Sequence, residues 1–142
     1  MKGKILVTIQ FGSLALLALL THWNSLSWWV IVLFGVSGFL AFWAMAAMKW
    51  GNFNIVPTPV EKGVLITRGP YKVIRHPMYT SIFIFAGAIL SDQFDFYKLL
   101  ISVVLVAGLV VKMLYEEKML CEHFSGYSTY MISSKRVIPF IW

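Results

Sequence analysis

The chain has 142 residues, of which 59% are hydrophobic and only 13% are charged, and its mean hydropathy is +0.77. A soluble domain carries about 25% charged residues, so this chain has too little polar surface to cover a water-exposed fold. Composition therefore excludes an ordinary soluble domain and predicts a single-domain integral membrane protein. The net charge of +6 suits a basic cytoplasmic face, so no nucleic-acid partner is expected. The single cysteine, Cys121, excludes an intrachain disulfide.

Four apolar segments predict an all-α membrane protein with about four transmembrane helices. No small-residue cleavage site follows the first segment, so we expect it to be a membrane helix and not a cleaved signal. Only "THWNSL" separates the first two segments and only "SDQFD" the last two, which predicts two antiparallel hairpins. The segments cover residues 5–20, 26–48, about 77–90 and about 94–114.

The third segment is shorter than the others. Fourteen residues make about 21 Å of helix, against a hydrocarbon core of about 30 Å. Its cytoplasmic end is therefore expected to lie below the membrane surface, with Arg75, His76 and Tyr79 in a recess walled by other helices. Polar groups at that depth are costly without partners and usually mark function.

The basic residues predict the orientation. With the N-terminus and the C-terminus inside, eleven of the twelve lysines and arginines are cytoplasmic, and only Lys98 lies outside. Both long polar stretches, 49–76 and 115–142, then share the cytoplasmic side. We expect an N-terminal helical hairpin over 1–50 and a core over 51–142, whose cytoplasmic loop and C-terminal tail form the site.

The stretch "RGPYKVIRHPMY", residues 68–79, joins the cytoplasmic loop to the third helix. Gly69-Pro70 predicts a corner within a small strand or turn. Pro77 fits the first turn of a helix, which places His76 at the cap and Arg75 just outside it. Arg75 and the helix N-terminus could together hold a carboxylate or phosphate. Alternatively, Arg75 and His76 simply meet lipid headgroups.

An acidic cluster ends the fourth helix. Glu116 and Glu117 are adjacent, so their side chains point about 100° apart and do not form one carboxylate pair. They either solvate a helix leaving the lipid or bind a cation. The apolar and aromatic end of the chain is expected to fold back on the membrane face. A zwitterionic small molecule would suit a site that combines the basic and acidic clusters.

The segments "GPYKVIRHPMY" (69–79) and "LYEEKMLCEHFSGYSTYMISSKRVIPFI" (114–141) resemble the isoprenylcysteine carboxyl methyltransferase family and its bacterial relatives, including phospholipid methyltransferase-like proteins. The shared patterns are G-P-Y, R-H-P-x-Y, E-E-x-x-L and a Tyr-x-x-Tyr stretch ending in Pro-aromatic. The resemblance covers roughly residues 60–142. It implies S-adenosylmethionine as methyl donor, no metal, and a lipophilic or amphiphilic acceptor at the cytoplasmic face of a bacterial or archaeal inner membrane.

Carried over residue by residue, the resemblance assigns two groups. Arg75 and Glu116 would lie near the methyl-transfer centre, as catalytic residues. A glutamate would pair with the cofactor ammonium, tyrosines would surround its sulfonium, and Arg75 would orient an anionic acceptor or the cofactor carboxylate. The residues implied to line the cofactor pocket are Tyr71, His76, Pro77, Tyr79 and Glu117.

Three other interpretations remain open at the level of sequence. Sterol reductases, which use NADPH, also carry R-H-P-x-Y and a Pro-aromatic end, but a 2′-phosphate would favour more than the three arginines present. A non-catalytic membrane scaffold is the second. A metal site from Cys121, Glu122 and His123 is the weakest, because Cys-x-His lacks the second ligand pair that zinc needs.

Overall fold

The computed structural model describes residues 2–48, 63–139 and 141. Within them the fold is all-α and contains no β-strand, which confirms the predicted class. The predicted boundary at residues 50–51 lies outside the described residues. Two short 3-10 turns, Trp23–Ser25 and Gly69–Lys72, stand in the connections. The α-helices are α1 Lys2–Leu20, α2 Trp28–Ala47, α3 Pro77–Asp92, α4 Phe96–His123 and α5 Tyr127–Ser133.

Among the described residues, three helices, α1, α2 and α4, are long and apolar enough to cross a membrane. The third predicted segment, α3, is apolar but has only 16 residues, or about 24 Å, and is short as expected. Length and composition therefore support three of the four predicted transmembrane helices. α4 has 28 residues, or about 42 Å, so it exceeds the hydrocarbon core by roughly two turns. Large apolar side chains such as Phe39 and Phe42 point outward, as a lipid-facing surface requires.

The two short connections meet at one end of the helices. The backbone N–H of His22 donates to Gln93 Oε1 at 2.9 Å, and Gln93 Nε2 donates back to the His22 carbonyl at 3.0 Å. Lys98 Nζ also donates to the Gln93 side chain, at 3.1 Å. Since these connections share one end, the loop before α3 and the tail after α4 are gathered at the other.

α1 packs on α4, and α2 packs on α3. Gly108 of α4 allows the first of these contacts, since a Cβ there would lie 3.1 Å from Ile9 Cγ2. The close approach also brings the buried Gln10 of α1 against α4. Fully or almost fully buried apolar side chains fill the space between the helices: Leu17, Ile89, Leu105, Leu109 and Met113.

The corner predicted at Gly69-Pro70 is a 3-10 turn and not a strand. Gly69 has φ +60°, in the left-handed region that favours glycine. A Cβ at this position would also lie 3.0 Å from Ala47 Cβ. The turn therefore packs tightly on the end of α2 and directs Tyr71 into a small cluster with Ala44 and Ala47.

Candidate active site

The tail folds back on the segment before α3, a contact that the sequence did not predict. The backbone N–H groups of Arg75 and His76 donate to the carbonyls of Lys135 (2.7 Å) and Arg136 (3.0 Å). The N–H of Lys135 donates in turn to the Val73 carbonyl at 3.0 Å. This short parallel pairing fixes the backbone on which the two predicted site residues stand.

Pro77 is the first residue of α3 and His76 is its N-cap, as predicted. The His76 carbonyl accepts from the N–H groups of Tyr79 and Thr80, both at 3.0 Å, while its imidazole makes no cap hydrogen bond. The Thr80 hydroxyl donates to the Val137 carbonyl at 2.9 Å, which adds a second tie to the tail. The imidazole is thereby left to face α4.

Glu117 is the centre of a buried ion cluster. Arg75 Nε donates to Glu117 Oε1 and Arg136 Nε donates to Glu117 Oε2, each at 2.9 Å. The Arg75 guanidinium also donates from one terminal nitrogen to the carbonyls of Met131, at 3.0 Å, and Ser134. Arg75 therefore joins α4, the end of α5 and the tail, in addition to the segment that carries it.

Glu116 has different partners, so the two carboxylates diverge as their spacing predicts. Tyr79 donates its hydroxyl to Glu116 Oε1 at 2.6 Å. The other oxygen, Oε2, lies 3.7 Å from His76 Nδ1, beyond hydrogen-bond distance. The Glu116 side chain is 19% exposed, compared with 5% for Glu117. Glu116 is thus the carboxylate that remains accessible.

The His76 imidazole lies between the two glutamates. It stacks on the Tyr79 ring with centroids 5.4 Å apart and planes 11° apart. Its Nε2 is 3.4 Å from Glu117 Oε1, and within residues 2–48, 63–139 and 141 this buried nitrogen has no hydrogen-bond partner. Buried polar atoms almost always have a partner, so this nitrogen is a candidate contact for a bound group.

Three tyrosines outside the membrane spans are buried around this cluster: Tyr71, Tyr127 and Tyr130. The Tyr130 hydroxyl donates to the Tyr71 carbonyl at 2.5 Å, which ties α5 to the 3-10 turn. Burial raises the pKa of Tyr130 to about 12 and also raises the pKa of Tyr71 and of Tyr127 above the ordinary value. These phenols are therefore neutral at pH 7, and supply aromatic surface and hydrogen bonds, not a base.

Sequence reasoning missed two side chains that the structure brings to the cluster. Lys112 Nζ donates to Gln10 Oε1 at 2.9 Å and lies 5.3 Å from the centroid of the Tyr79 ring. In the sequence Lys112 is only one of the basic residues on the predicted cytoplasmic side, and Gln10 is one polar residue within an apolar run. A usable signal was present, because Lys112 is a cation in an apolar run, four residues before Glu116.

The predicted metal candidate has no support among the described residues, where no three His, Cys, Asp or Glu side chains form a group that could hold an ion. Cys121 is exposed, and its sulfur contacts the Met131 sulfur at 3.6 Å.

The fold and the site define an integral membrane protein with an ion-paired, aromatic cluster at one end of its helices. A model of the phospholipid methyltransferase family matches residues 26–126, well over half of the chain. The chain therefore belongs to the phospholipid methyltransferase family, among the isoprenylcysteine carboxyl methyltransferase-like proteins, which confirms the predicted resemblance. No curated protein matches the chain. The matched region includes α2, α3 and α4 but neither α1 nor α5.

Proposed function

We propose that the chain is a membrane-embedded methyltransferase that moves a methyl group from S-adenosylmethionine to a lipophilic or amphiphilic acceptor. The observation that carries the proposal is the meeting of His76 and Tyr79 with Glu116, in a member of the phospholipid methyltransferase family. The positive-inside distribution supports a site on the cytoplasmic face of a bacterial or archaeal inner membrane.

The residues present fit this cofactor. S-adenosylmethionine, when bound, supplies an electrophilic methyl group on a sulfonium, and also carries an ammonium and a carboxylate. Glu116 is the more exposed carboxylate and can pair with an ammonium, since its Oε2 makes no hydrogen bond to any residue that the structure describes. The rings of Tyr71 and Tyr79 offer faces or edges to a cation, and Pro77 holds the turn between His76 and Tyr79. His76 Nε2 has no hydrogen-bond partner in the described part of the chain, which leaves it available for a further polar contact.

The ion pairs support a positioning role for Arg75 and Glu117. Both oxygens of Glu117 are bound by guanidinium groups, so this carboxylate has less capacity for a ligand than Glu116. Arg75 acts by fixing Glu117 and the tail, which closes one side of the site. Methyl transfer is an in-line displacement, and such fixed geometry supplies much of its acceleration.

The arginines favour S-adenosylmethionine over the NADPH of the sterol-reductase alternative. Arg75 and Arg136 bind Glu117, and Arg68 Nε donates to the Ala47 carbonyl at 3.0 Å. All three arginines of the chain thus already donate to protein oxygens, whereas a 2′-phosphate would need arginine donors.

Calorimetric titration of the purified protein with S-adenosylhomocysteine and with NADPH tests the proposal. We expect S-adenosylhomocysteine to bind, and labelled methyl to pass from S-adenosylmethionine into a membrane extract. Glu116→Gln should weaken that binding, whereas Glu122→Gln, an exposed carboxylate on the same helix, should not. Binding of NADPH alone would favour the reductase, and binding of neither compound would favour the scaffold.

A further inference from the structure

Gln10 and Lys112 form a polar pair inside the apolar part of the molecule. They are 102 positions apart in the chain, and α1 and α4 bring them to 2.9 Å. Gln10 is 9% exposed and Lys112 is 3% exposed. Gln10 also lies outside residues 26–126, so the family match does not include the partner of Lys112.

A buried ammonium within a membrane helix is costly and requires compensation. One hydrogen bond to a neutral amide is not enough by itself to balance the charge. The Tyr79 ring adds a cation–π contact at 5.3 Å, and Glu116 lies one helical turn further along α4. Lys112 is thus compensated by Tyr79 and Glu116, which are hydrogen-bonded to each other in the candidate site.

We propose that Lys112, held by Gln10, is a positioning residue for methyl transfer. The ammonium braces the face of the Tyr79 ring while the hydroxyl of the same ring donates to Glu116 at 2.6 Å. The positive charge of Lys112 also offsets the negative charge of Glu116, which is next to Glu117 in the sequence. The inference rests on the proposed function and extends the site to α1.

The packing of α1 sets this geometry. Gly108 is one turn before Lys112 on α4, and its lack of a side chain permits the contact with Ile9, the neighbour of Gln10. The first helix of the chain thereby contributes a polar contact to the site in addition to anchoring the protein.

The test compares Lys112→Met, Lys112→Arg and Gln10→Leu with the parent. The control is Ser102→Ala, on the same helix, whose buried hydroxyl has no hydrogen-bond partner in the part of the chain that the structure describes. For each protein we would measure the melting temperature in detergent, the affinity for S-adenosylhomocysteine, and kcat and KM for transfer of labelled methyl into a membrane extract.

Lys112→Met should lower kcat by about tenfold or more, because the Tyr79–Glu116 bond loses its support. Its melting temperature should not fall, since methionine removes a buried charge from an apolar segment. Lys112→Arg should recover part of kcat, Gln10→Leu should show a smaller loss, and Ser102→Ala should match the parent.

Parental kcat in Lys112→Met would overturn the positioning role. The positioning role would also be overturned if Lys112→Met lowered both the melting temperature and kcat and Lys112→Arg restored neither. The pair of Gln10 and Lys112 would then be structural. Failure of the proposed function is recognised separately, since the parent itself would then neither bind S-adenosylhomocysteine nor transfer methyl.

Discussion

Arg75 and Glu117, 42 positions apart in the chain, are joined by a 2.9 Å bond between Nε and Oε1, with side chains only 7% and 5% exposed. The basic junction before α3 and the acidic end of α4 therefore neutralise each other directly. Arg75 also binds the carbonyls of Met131 and Ser134, so one side chain closes the site and anchors the tail. The groups left for a ligand are Glu116, His76 and the tyrosine rings.

Arg75→Lys should leave the protein folded and inserted but remove most methyl transfer. A guanidinium can bind Glu117 and the carbonyls of Met131 and Ser134 at the same time, whereas an ammonium is a point charge on a flexible stem. Small misplacement in a site costs on the order of a hundredfold in rate. Labelled-methyl transfer measures the loss, and faster proteolysis of the tail should accompany it. Lys72→Arg, at an exposed neighbour, is the control. An Arg75→Lys protein as active as the parent would show that the bonds made by the guanidinium do not support methyl transfer.

Glu117→Gln should lower both stability and cofactor affinity. The change removes the carboxylate charge that binds Arg75 and Arg136, and breaking a buried ion pair costs on the order of 3 kcal/mol. We expect a lower melting temperature and roughly a tenfold to hundredfold weaker affinity for S-adenosylhomocysteine. Glu122→Gln should change neither quantity. If Glu117→Gln behaves like that control, the buried ion cluster contributes neither to stability nor to cofactor binding.

Tyr79→Phe distinguishes the role of the Tyr79 hydroxyl from that of its ring, because it removes only the hydroxyl. The ring keeps its stacking on His76 and its contact with Lys112, while Glu116 loses a 2.6 Å hydrogen bond. A charge-assisted bond is worth about 1.5–3 kcal/mol, so transfer should fall by roughly tenfold to hundredfold while the fold is kept. Tyr115→Phe, on the helix of Glu116, should be neutral. Equal rates of methyl transfer in the parent and in Tyr79→Phe would show that the bond from Tyr79 to Glu116 does not support the reaction.

Gly69→Ala should destabilise the protein. Alanine is strained at φ +60°, at a cost of about 1–2 kcal/mol, and its Cβ would meet Ala47 Cβ at 3.0 Å. Thermal unfolding in detergent should show a lower melting temperature. Gly87→Ala is the matched control, because a Cβ there meets nothing within 4 Å and alanine favours helix. Similar melting of Gly69→Ala and the parent would show that the turn does not depend on glycine.

Reporter fusions test the orientation, which follows from the basic residues alone. Fusions after Trp50 and at Trp142 should report cytoplasm, and a fusion at Gln93 should report the outside, because eleven of the twelve basic residues lie on the proposed inner side. A C-terminus outside the cytoplasm would move the whole ion cluster to the other face.

Local patterns in the sequence were sufficient for the helices. Apolar runs predict α1, α2 and α3 to within three residues, whereas α4 continues nine residues beyond its apolar run. Pro77 predicts the start of α3, and the adjacency of Glu116 and Glu117 predicts their divergence. These features depend on neighbours within one or two turns, so the sequence contains the needed information. The short helix α5 was not predicted, because its seven residues are stabilised by tertiary ties such as the bond from Tyr130 to Tyr71.

The sequence by itself determined the membrane class, the family resemblance and the residue types that gather at one end. Only the tertiary structure decided which charges pair. Arg75 and Arg136 bind Glu117, while Glu116 remains the more exposed carboxylate. Lys112 donates to Gln10. The physical reason is that charges in a low-dielectric site must be balanced by whatever partner lies within a few ångströms. Those partners come from α1, α3, α4 and the tail, and their proximity is set by helix packing.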